Sequence, residues 1–103
     1  MMKPLFIPLN TEYFNAFKSG DKNEEIRLYG PRWNYETCKV GRDVVLSKGY
    51  GKHERLTGKV CFFVNIHGST LSSENKKAAL KLYGTLDVLI ALIGIEDIKP
   101  QVN

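Results

Sequence analysis

The residues best placed to do chemistry in this chain are Lys22, Glu25 and Arg27, which lie within six positions of one another. Hydrophobic spacing predicts a helix over 11–18 and a strand over 24–29. Because side chains alternate across a strand, Glu25 and Arg27 should point to the same face, roughly 7 Å apart along it, while Lys22 approaches from the turn. A cluster of this kind can bind a polar ligand, transfer protons, or form ion pairs with itself.

The alternation through the predicted strand also indicates which side chains should be buried. Ile26 and Leu28 fall on one face, which we expect to pack against a core. Glu25, Arg27 and Tyr29 fall on the other face. The strand therefore presents one apolar face and one face able to meet a ligand.

Two interpretations of the charged cluster follow from the residues alone. In the first, Glu25 pairs with Lys22 or Arg27 and fixes the turn, with modest stabilisation if the pair is exposed. In the second, Lys22 and Arg27 bind phosphate or a carbonyl oxygen, while Glu25 accepts hydrogen bonds from a base or sugar. Lys22 and Glu25 are also the catalytic candidates, as an acid–base pair, if the protein is an enzyme.

Together with Gly20, these residues fit the pattern G-x-K-x-x-E-x-R. The pattern resembles the signature of the ASCH domain, a relative of the PUA-like β-barrels. The predicted helix before the motif and the Val-Gly-x-Asp segment at 40–43 follow the order of that family, and the resemblance covers nearly the whole chain. It implies a single ASCH domain with an α+β fold, a small PUA-like β-barrel of five or six strands with two short helices. It also implies that Lys22, Glu25 and Arg27 line a ligand cleft.

The same resemblance bears on activity. Some ASCH proteins are amidohydrolases that cleave N4-acetylcytidine, and their motif is similar to G-x-K-x-x-T-x-R, in which the Lys activates the Thr hydroxyl as nucleophile. This chain has Glu25 at the Thr position, and a carboxylate cannot replace a hydroxyl nucleophile in that mechanism. Other ASCH proteins resemble ribonucleases, for which Lys22 and Glu25 would supply the acid–base pair.

The loop after this strand contains the only tryptophan of the chain. Trp33 lies beside Arg32, in a stretch from Tyr29 to Tyr35 that is rich in turn residues. Aromatic side chains next to a basic residue can stack an unpaired base, so Tyr29, Arg32 and Trp33 are candidate ligand contacts. The alternative is that Trp33 folds back over one end of the barrel and fills it.

A second loop, residues 47–53, contains two glycines that allow a ligand to approach the backbone closely. Its Lys48, Tyr50 and Lys52 are candidate contacts to phosphate and base. A flexible hairpin tip is the equally supported alternative, and the loop lacks the G-K-[ST] sequence of a P-loop. If both loops and the charged motif act on one ligand, they should converge on one concavity.

The net charge of +4 is concentrated in one part of the sequence. The segment 39–59 contains six basic and two acidic residues, so it carries the whole excess. A concentrated positive surface attracts polyanions such as RNA. Lysines on strand edges also prevent edge-to-edge pairing, so charge alone leaves both explanations open.

Several functional classes find no support in the sequence. The two cysteines and two histidines are isolated, without the spacing of a zinc site, so we expect no metal and no cofactor. The longest apolar run, 88–95, is far shorter than the ~20 residues of a membrane helix, and the amino terminus has no signal-peptide pattern. We therefore expect a cytoplasmic protein with no membrane partner.

Capping residues set the limits of the predicted helices. Asn10 precedes the first helix and Gly20 ends it. Ser72 or Ser73 opens a second helix over 74–83. Both predicted helices are short.

The predicted strands differ in where they should lie in the sheet. The first contains Pro4 and Pro8, which confine it to an edge or to its ends. A long strand over 56–66 should bend at Gly58. The last strand, 87–98, is apolar on both faces, so we expect it inside the sheet and covered on both sides.

These observations lead to one main hypothesis and two alternatives. The main hypothesis is a domain that binds RNA or a nucleotide-like ligand in a charged cleft lined by Lys22, Glu25 and Arg27. The first alternative is a small enzyme that acts on RNA or on a modified nucleoside. The second is a domain whose cleft binds a protein partner or a small metabolite.

Overall fold

A computed structural model describes residues 2–102 of the protein. The elements in chain order are β1 (Leu5–Leu9), α1 (Thr11–Ser19), β2 (Glu24–Leu28), β3 (Asp43–Lys48), β4 (Arg55–His67), a 3-10 turn (Gly68–Thr70), α2 (Ser73–Tyr83) and β5 (Leu89–Pro100). The five strands form one sheet that curls into a half-barrel. The predicted small, barrel-like α+β fold is therefore confirmed.

The strand order is β1-β3-β4-β5-β2, so β1 and β2 are the edges of the sheet. β1 runs parallel to β3, and all other neighbours are antiparallel. Pro8 lies in the edge strand β1, as predicted, where a missing N–H is tolerated. The register between β4 and β5 shifts at Gly58 and again after Val60. A Cβ atom at Gly58 would lie 2.9 Å from the carbonyl oxygen of Glu96, so the close approach at this bend requires glycine.

Helix α1 begins at the predicted Thr11 and extends one residue beyond the predicted range, to Ser19, between the predicted caps Asn10 and Gly20. The side chain of Asn10 accepts a hydrogen bond from the backbone N–H of Tyr13 at 2.8 Å. Gly20 ends the helix in the left-handed conformation, with φ of 86°. Phe14 and Phe17 are buried in a hydrophobic core that also contains the alternate side chains of β1, β3 and β5. We call the face of the sheet that carries this core the inner face.

Helix α2 packs on the opposite, outer face, against β2 and β5. Its Ala79 joins Ile26, Leu71 and Ile90 in a second buried cluster, and Ser72 caps the helix, as predicted. Neither buried cluster includes an outward-facing side chain of β1 or β3. Within residues 2–102, neither helix has the length and apolar character needed to cross a bilayer.

One burial prediction for β2 is wrong. Ile26 is buried under α2, but Leu28 is 45% exposed. Leu28 pairs with Ile90 at the last position of the edge strand, and the cluster under α2 does not include it. Alternation fixes the face to which a side chain points, whereas burial also requires a neighbouring element over that face.

Strand β5 meets the prediction for a strand buried on both faces. It lies inside the sheet, between β4 and β2. Ala91, Ile93 and Ile95 belong to the inner core, whereas Ile90 belongs to the cluster under α2. The strand therefore separates the two hydrophobic layers of the molecule.

Candidate functional site

Glu25 and Arg27 form a partly buried ion pair on the inner face of β2. Oε2 of Glu25 accepts a hydrogen bond from Nε of Arg27 at 2.8 Å and also lies 2.8 Å from Nη2. Glu25 is only 5% exposed. Nη2 of Arg27 donates a further bond to the carbonyl oxygen of Pro8 at 2.6 Å. This bond connects the edge strand β2 to the opposite edge β1, so Arg27 helps to close the half-barrel.

The ionisation of Glu25 reflects this environment. Burial raises the pKa of Glu25 above its ordinary value of 4.5, because desolvation penalises the carboxylate. The positive charges of Arg27 and, less strongly, of Lys22 act in the opposite direction. A carboxyl with a raised pKa beside a lysine occurs both at acid–base sites and in structural ion pairs.

Trp33 belongs to the core and is not displayed as a platform. Its side chain is 8% exposed and packs in the inner hydrophobic cluster. The guanidinium carbons of Arg27 and Arg32 lie 4.8 Å and 5.5 Å from its ring centroid. Reciprocal backbone hydrogen bonds with Gly30, each 3.1 Å long, hold the loop in a tight turn. The structure therefore agrees with the alternative in which Trp33 fills an end of the barrel.

Lys22 is half-buried and lies in the turn after α1. Its Nζ lies 5.3 Å from the ring centroid of Tyr13 and 5.7 Å from that of Phe17, within the range of cation–π attraction. Its backbone N–H donates to the carbonyl oxygen of Ala16 at 3.1 Å, which fixes the turn after α1. In the described part of the chain, no carboxylate forms an ion pair with it.

A groove of about 500 Å³ lies between α1 and α2, and Lys22 is in its wall. This volume is within the roughly 300–1,000 Å³ of small-molecule sites. The charged side chains of its lining are three basic and four acidic residues, namely Lys22, Lys77, Lys81, Glu12, Asp21, Glu24 and Glu74. The groove is therefore close to charge balance, unlike the strongly basic channels that bind long polyanions.

Asn75 supplies a buried amide to this groove. Its side chain is 6% exposed, and Nδ2 donates to Oε1 of Glu24 at 3.0 Å. Asn75 was not among the residues predicted for the site, because a polar residue in the first turn of a helix usually faces solvent. Its partner lies 51 positions away in the chain, and no local pattern indicates that contact.

Tyr83 is a second residue that was not among those predicted for the site, and its side chain contacts the backbone of β2. Its hydroxyl donates to the carbonyl oxygen of Ile26 at 3.3 Å, across 57 positions of sequence. Burial raises the pKa of this hydroxyl, and the charges of Arg27 and Glu25 lie close enough to influence it in opposite directions. Sequence spacing does not indicate this hydrogen bond, because the reach of the hydroxyl depends on the packing of α2.

The loop of residues 47–53 lies outside the groove. Tyr50 is 80% exposed, and its ring centroid is 6.2 Å from that of Phe6, a residue of the outer face. Lys48 takes part in an ion pair at 3.6 Å, and Lys52 is exposed. None of these residues lines the groove between the helices. The structure therefore does not bring this loop together with the charged motif in that concavity.

Tyr29 lies at a separate depression beside the Trp33 loop. Its ring centroid is 6.4 Å from that of Phe63, and Tyr35 packs edge-on against Phe63 at 4.6 Å. Tyr29 and Tyr35 both line this depression, and Arg32 is exposed. Of the predicted ligand contacts, Lys22 alone lines the groove between the helices.

No protein-family model matches this chain, and no curated protein matches it significantly. The resemblance to the ASCH domain therefore stays a prediction, which rests on Gly20, Lys22, Glu25 and Arg27.

Proposed function

We propose that this protein binds a nucleotide-like ligand, either free or as one residue of an RNA, in the groove between α1 and α2. The observation that supports this proposal is the position of Lys22 and its lack of an ion-pair partner among the described residues. It is a cation without a carboxylate partner in the described chain, held against Tyr13 and Phe17 in the wall of the groove. Such a group offers a charge-assisted hydrogen bond to a phosphate or a carbonyl oxygen.

The charge balance of the groove favours a small ligand over a long polyanion. A long polyanion gains its affinity from many basic contacts, and a lining of three basic and four acidic residues provides few of them. A nucleoside or a nucleotide with one phosphate needs only one such contact. Lys22 supplies it, while Glu24 and Asn75 offer polar atoms to base and sugar.

Titration of the 15N-labelled protein with cytidine, cytidine monophosphate and adenosine tests the proposal. We expect chemical-shift changes at the backbone amides of Tyr13, Lys22 and Asn75, which lie along the groove. Lys22→Ala should weaken binding about tenfold or more, because a hydrogen bond to a charged group contributes ~1.5–3 kcal/mol.

Lys76→Ala is a matched control, since Lys76 belongs to α2 but does not line the groove. It should bind these ligands like the wild type. Shift changes confined to residues outside the groove would contradict the proposal. Equal affinities of Lys22→Ala and Lys76→Ala for these ligands would also contradict it.

A second candidate function is hydrolysis of RNA or of a modified nucleoside, and one observation favours it. The pKa of Glu25 is raised by burial, in the vicinity of Lys22, as a general acid requires. Against it, Arg27 holds Oε2 of Glu25 in place. Incubation of the purified protein with N4-acetylcytidine and with RNA separates the candidates. Turnover that falls by roughly 10²–10⁴-fold in Glu25→Gln, with binding retained, would identify an enzyme.

A further inference from the structure

The outer face of β1, β3 and β4 carries side chains that the groove between the helices does not use. Strand register places Phe6, Val45, Thr57 and Lys99 in one row across four strands. Arg55 lies in the neighbouring row, paired with Ser47. We call this surface the hairpin face and define it by Phe6, Tyr50, Lys52, Arg55 and Lys99.

One end of this row combines two aromatic rings with an arginine. The ring of Tyr50 lies 6.2 Å from that of Phe6 at an angle of 38°, and the guanidinium carbon of Arg55 lies 5.3 Å from the centroid of Phe6. Phe6 is half-buried, whereas Tyr50 is 80% exposed. Phe6 therefore lies beside Tyr50 on one side, and Arg55 packs on Phe6. Most of the Tyr50 ring remains open to solvent.

The cations of the hairpin face lack acidic partners. Among residues 2–102, no carboxylate forms an ion pair with Lys52, Arg55 or Lys99. Arg55 donates from Nε to the carbonyl oxygen of Gly51 at 3.3 Å, which orients its guanidinium group. Glu54, the acidic residue next to it, is already engaged in two ion pairs with other lysines. The charges at this end of the face are therefore available to an anion.

A groove of about 510 Å³ continues the face along its row. Val45, Thr57 and Ile98 contribute to its lining, and Lys99 lies in its wall. Asp97 also belongs to the lining and makes that end less favourable for an anion. The Tyr50 end combines an open ring with unpaired cations.

From these observations we infer that the hairpin face binds single-stranded nucleic acid. A base stacks on Tyr50, and the neighbouring phosphates contact Lys52 and Arg55. Stacking on an aromatic ring accepts any base, and a basic surface follows the phosphate backbone. This surface is separate from the groove between the helices, so the inference does not depend on the proposed function.

Fluorescence anisotropy with a short fluorescein-labelled oligouridylate at low salt tests the inference. Tyr50→Ala should weaken binding about tenfold, since stacking contributes ~1–3 kcal/mol per base. Tyr50→Phe keeps the ring and should bind like the wild type. Tyr35→Ala is a matched control, because Tyr35 is an exposed tyrosine of the other loop. It should not change the affinity.

Three results would overturn the inference. The first is equal affinity of the wild type and Tyr50→Ala for the oligonucleotide. The second is a loss of oligonucleotide affinity in Lys22→Ala as large as that in Tyr50→Ala. This result would mean that the oligonucleotide binds in the groove between the helices. The third is equal competition by a duplex or by an acidic peptide, which cannot stack a base. Cytidine titration of Tyr50→Ala, which we expect to match the wild type, separates this inference from the proposed function.

Discussion

Two arginine–aromatic pairs lie on opposite faces of the same sheet and differ in what their polar groups do. On the inner face, Arg27 lies 4.8 Å from the ring centroid of Trp33 and is 22% exposed, with bonds to a carboxylate and to a carbonyl oxygen. On the outer face, Arg55 lies 5.3 Å from the ring centroid of Phe6 and donates to one carbonyl oxygen of its own hairpin. Both pairs have the composition expected of a nucleic-acid contact.

The difference shows that composition does not distinguish a structural pair from a binding pair. A guanidinium group has five N–H donors, and a ligand can use only those that the protein leaves open. Arg27 donates from Nε to Glu25 and from Nη2 to Pro8, so both of these groups have partners within the protein, and Trp33 is buried beneath it. In the part of the chain that the structure describes, Arg55 donates only from Nε, to a carbonyl oxygen of its own hairpin, and packs on Phe6, the aromatic neighbour of the exposed Tyr50.

The largest expected effect compares Trp33→Ala with Tyr50→Ala. Trp33→Ala should lower the free energy of unfolding by about 3–5 kcal/mol, because it leaves a cavity in the inner core. Tyr50→Ala should change it by less than about 0.5 kcal/mol, since the ring is mostly in solvent. Urea denaturation measures both values. Similar losses in the two variants would mean that Tyr50 is a structural residue and that the comparison fails.

A second prediction compares the two arginines. Arg27→Ala leaves Glu25 buried without its partner and breaks the bond to Pro8. Loss of one partner of a buried pair costs about 3–5 kcal/mol, and we expect the lower end of that range because Arg27 is partly exposed. Arg55→Ala should cost less than about 1 kcal/mol by the same urea measurement. A smaller loss in Arg27→Ala than in Arg55→Ala would contradict the closing role of Arg27.

The fold was predictable where local signals determine it. Asn10 and Gly20 fix the ends of α1 through backbone geometry that depends on a few neighbouring residues. The apolar composition of β5 on both faces required a strand inside the sheet, and the structure places it there. Leu28 was mispredicted because its exposure depends on how far α2 extends over an edge strand, which is a tertiary property.

The site was predictable only in part, for the same reason. Lys22 was identified because its motif is local. Asn75 and Tyr83 reach their partners across 51 and 57 positions of sequence, and no local pattern indicates such contacts. Trp33 and Tyr50 both lie in turn-rich loops that contain basic residues, and only the packed structure shows that Trp33 is buried and Tyr50 exposed.

Glu25 on the inner face and Glu54 next to Arg55 should make the stability of the protein depend on pH in opposite directions. This effect is smaller than those of the arginine substitutions. Glu25 has a pKa raised by burial, so above pH 4.5 the native state binds more protons than the unfolded state, and stability falls as pH rises through the raised pKa. Glu54 has a pKa lowered by its bond to Lys18, so stability falls as pH drops below 4.5.

Urea midpoints measured across this acidic range provide the test. Glu25→Gln should flatten the slope above pH 4.5, and Glu54→Gln should flatten the slope below it. The slopes are compared rather than the midpoints, because Glu25→Gln also replaces the charged partner of Arg27 with a neutral amide, which changes stability at every pH. An unchanged slope in Glu25→Gln would mean that the carboxyl is not desolvated as its burial indicates.

The smallest expected effect concerns the salt dependence of oligonucleotide binding. Each phosphate contact adds about one unit to the slope of log K against log salt, so Lys52→Ala should reduce that slope by about one. Lys48→Ala should reduce it less, because Lys48 already pairs with Glu54 at 3.6 Å. Lys77→Ala, in the groove between the helices, should leave it unchanged, and cytidine binding should show almost no salt dependence. If Lys77→Ala reduced the slope as much as Lys52→Ala, the oligonucleotide would contact both the groove between the helices and the hairpin face. The distinction between a charge-balanced groove and a cationic hairpin face would then be wrong.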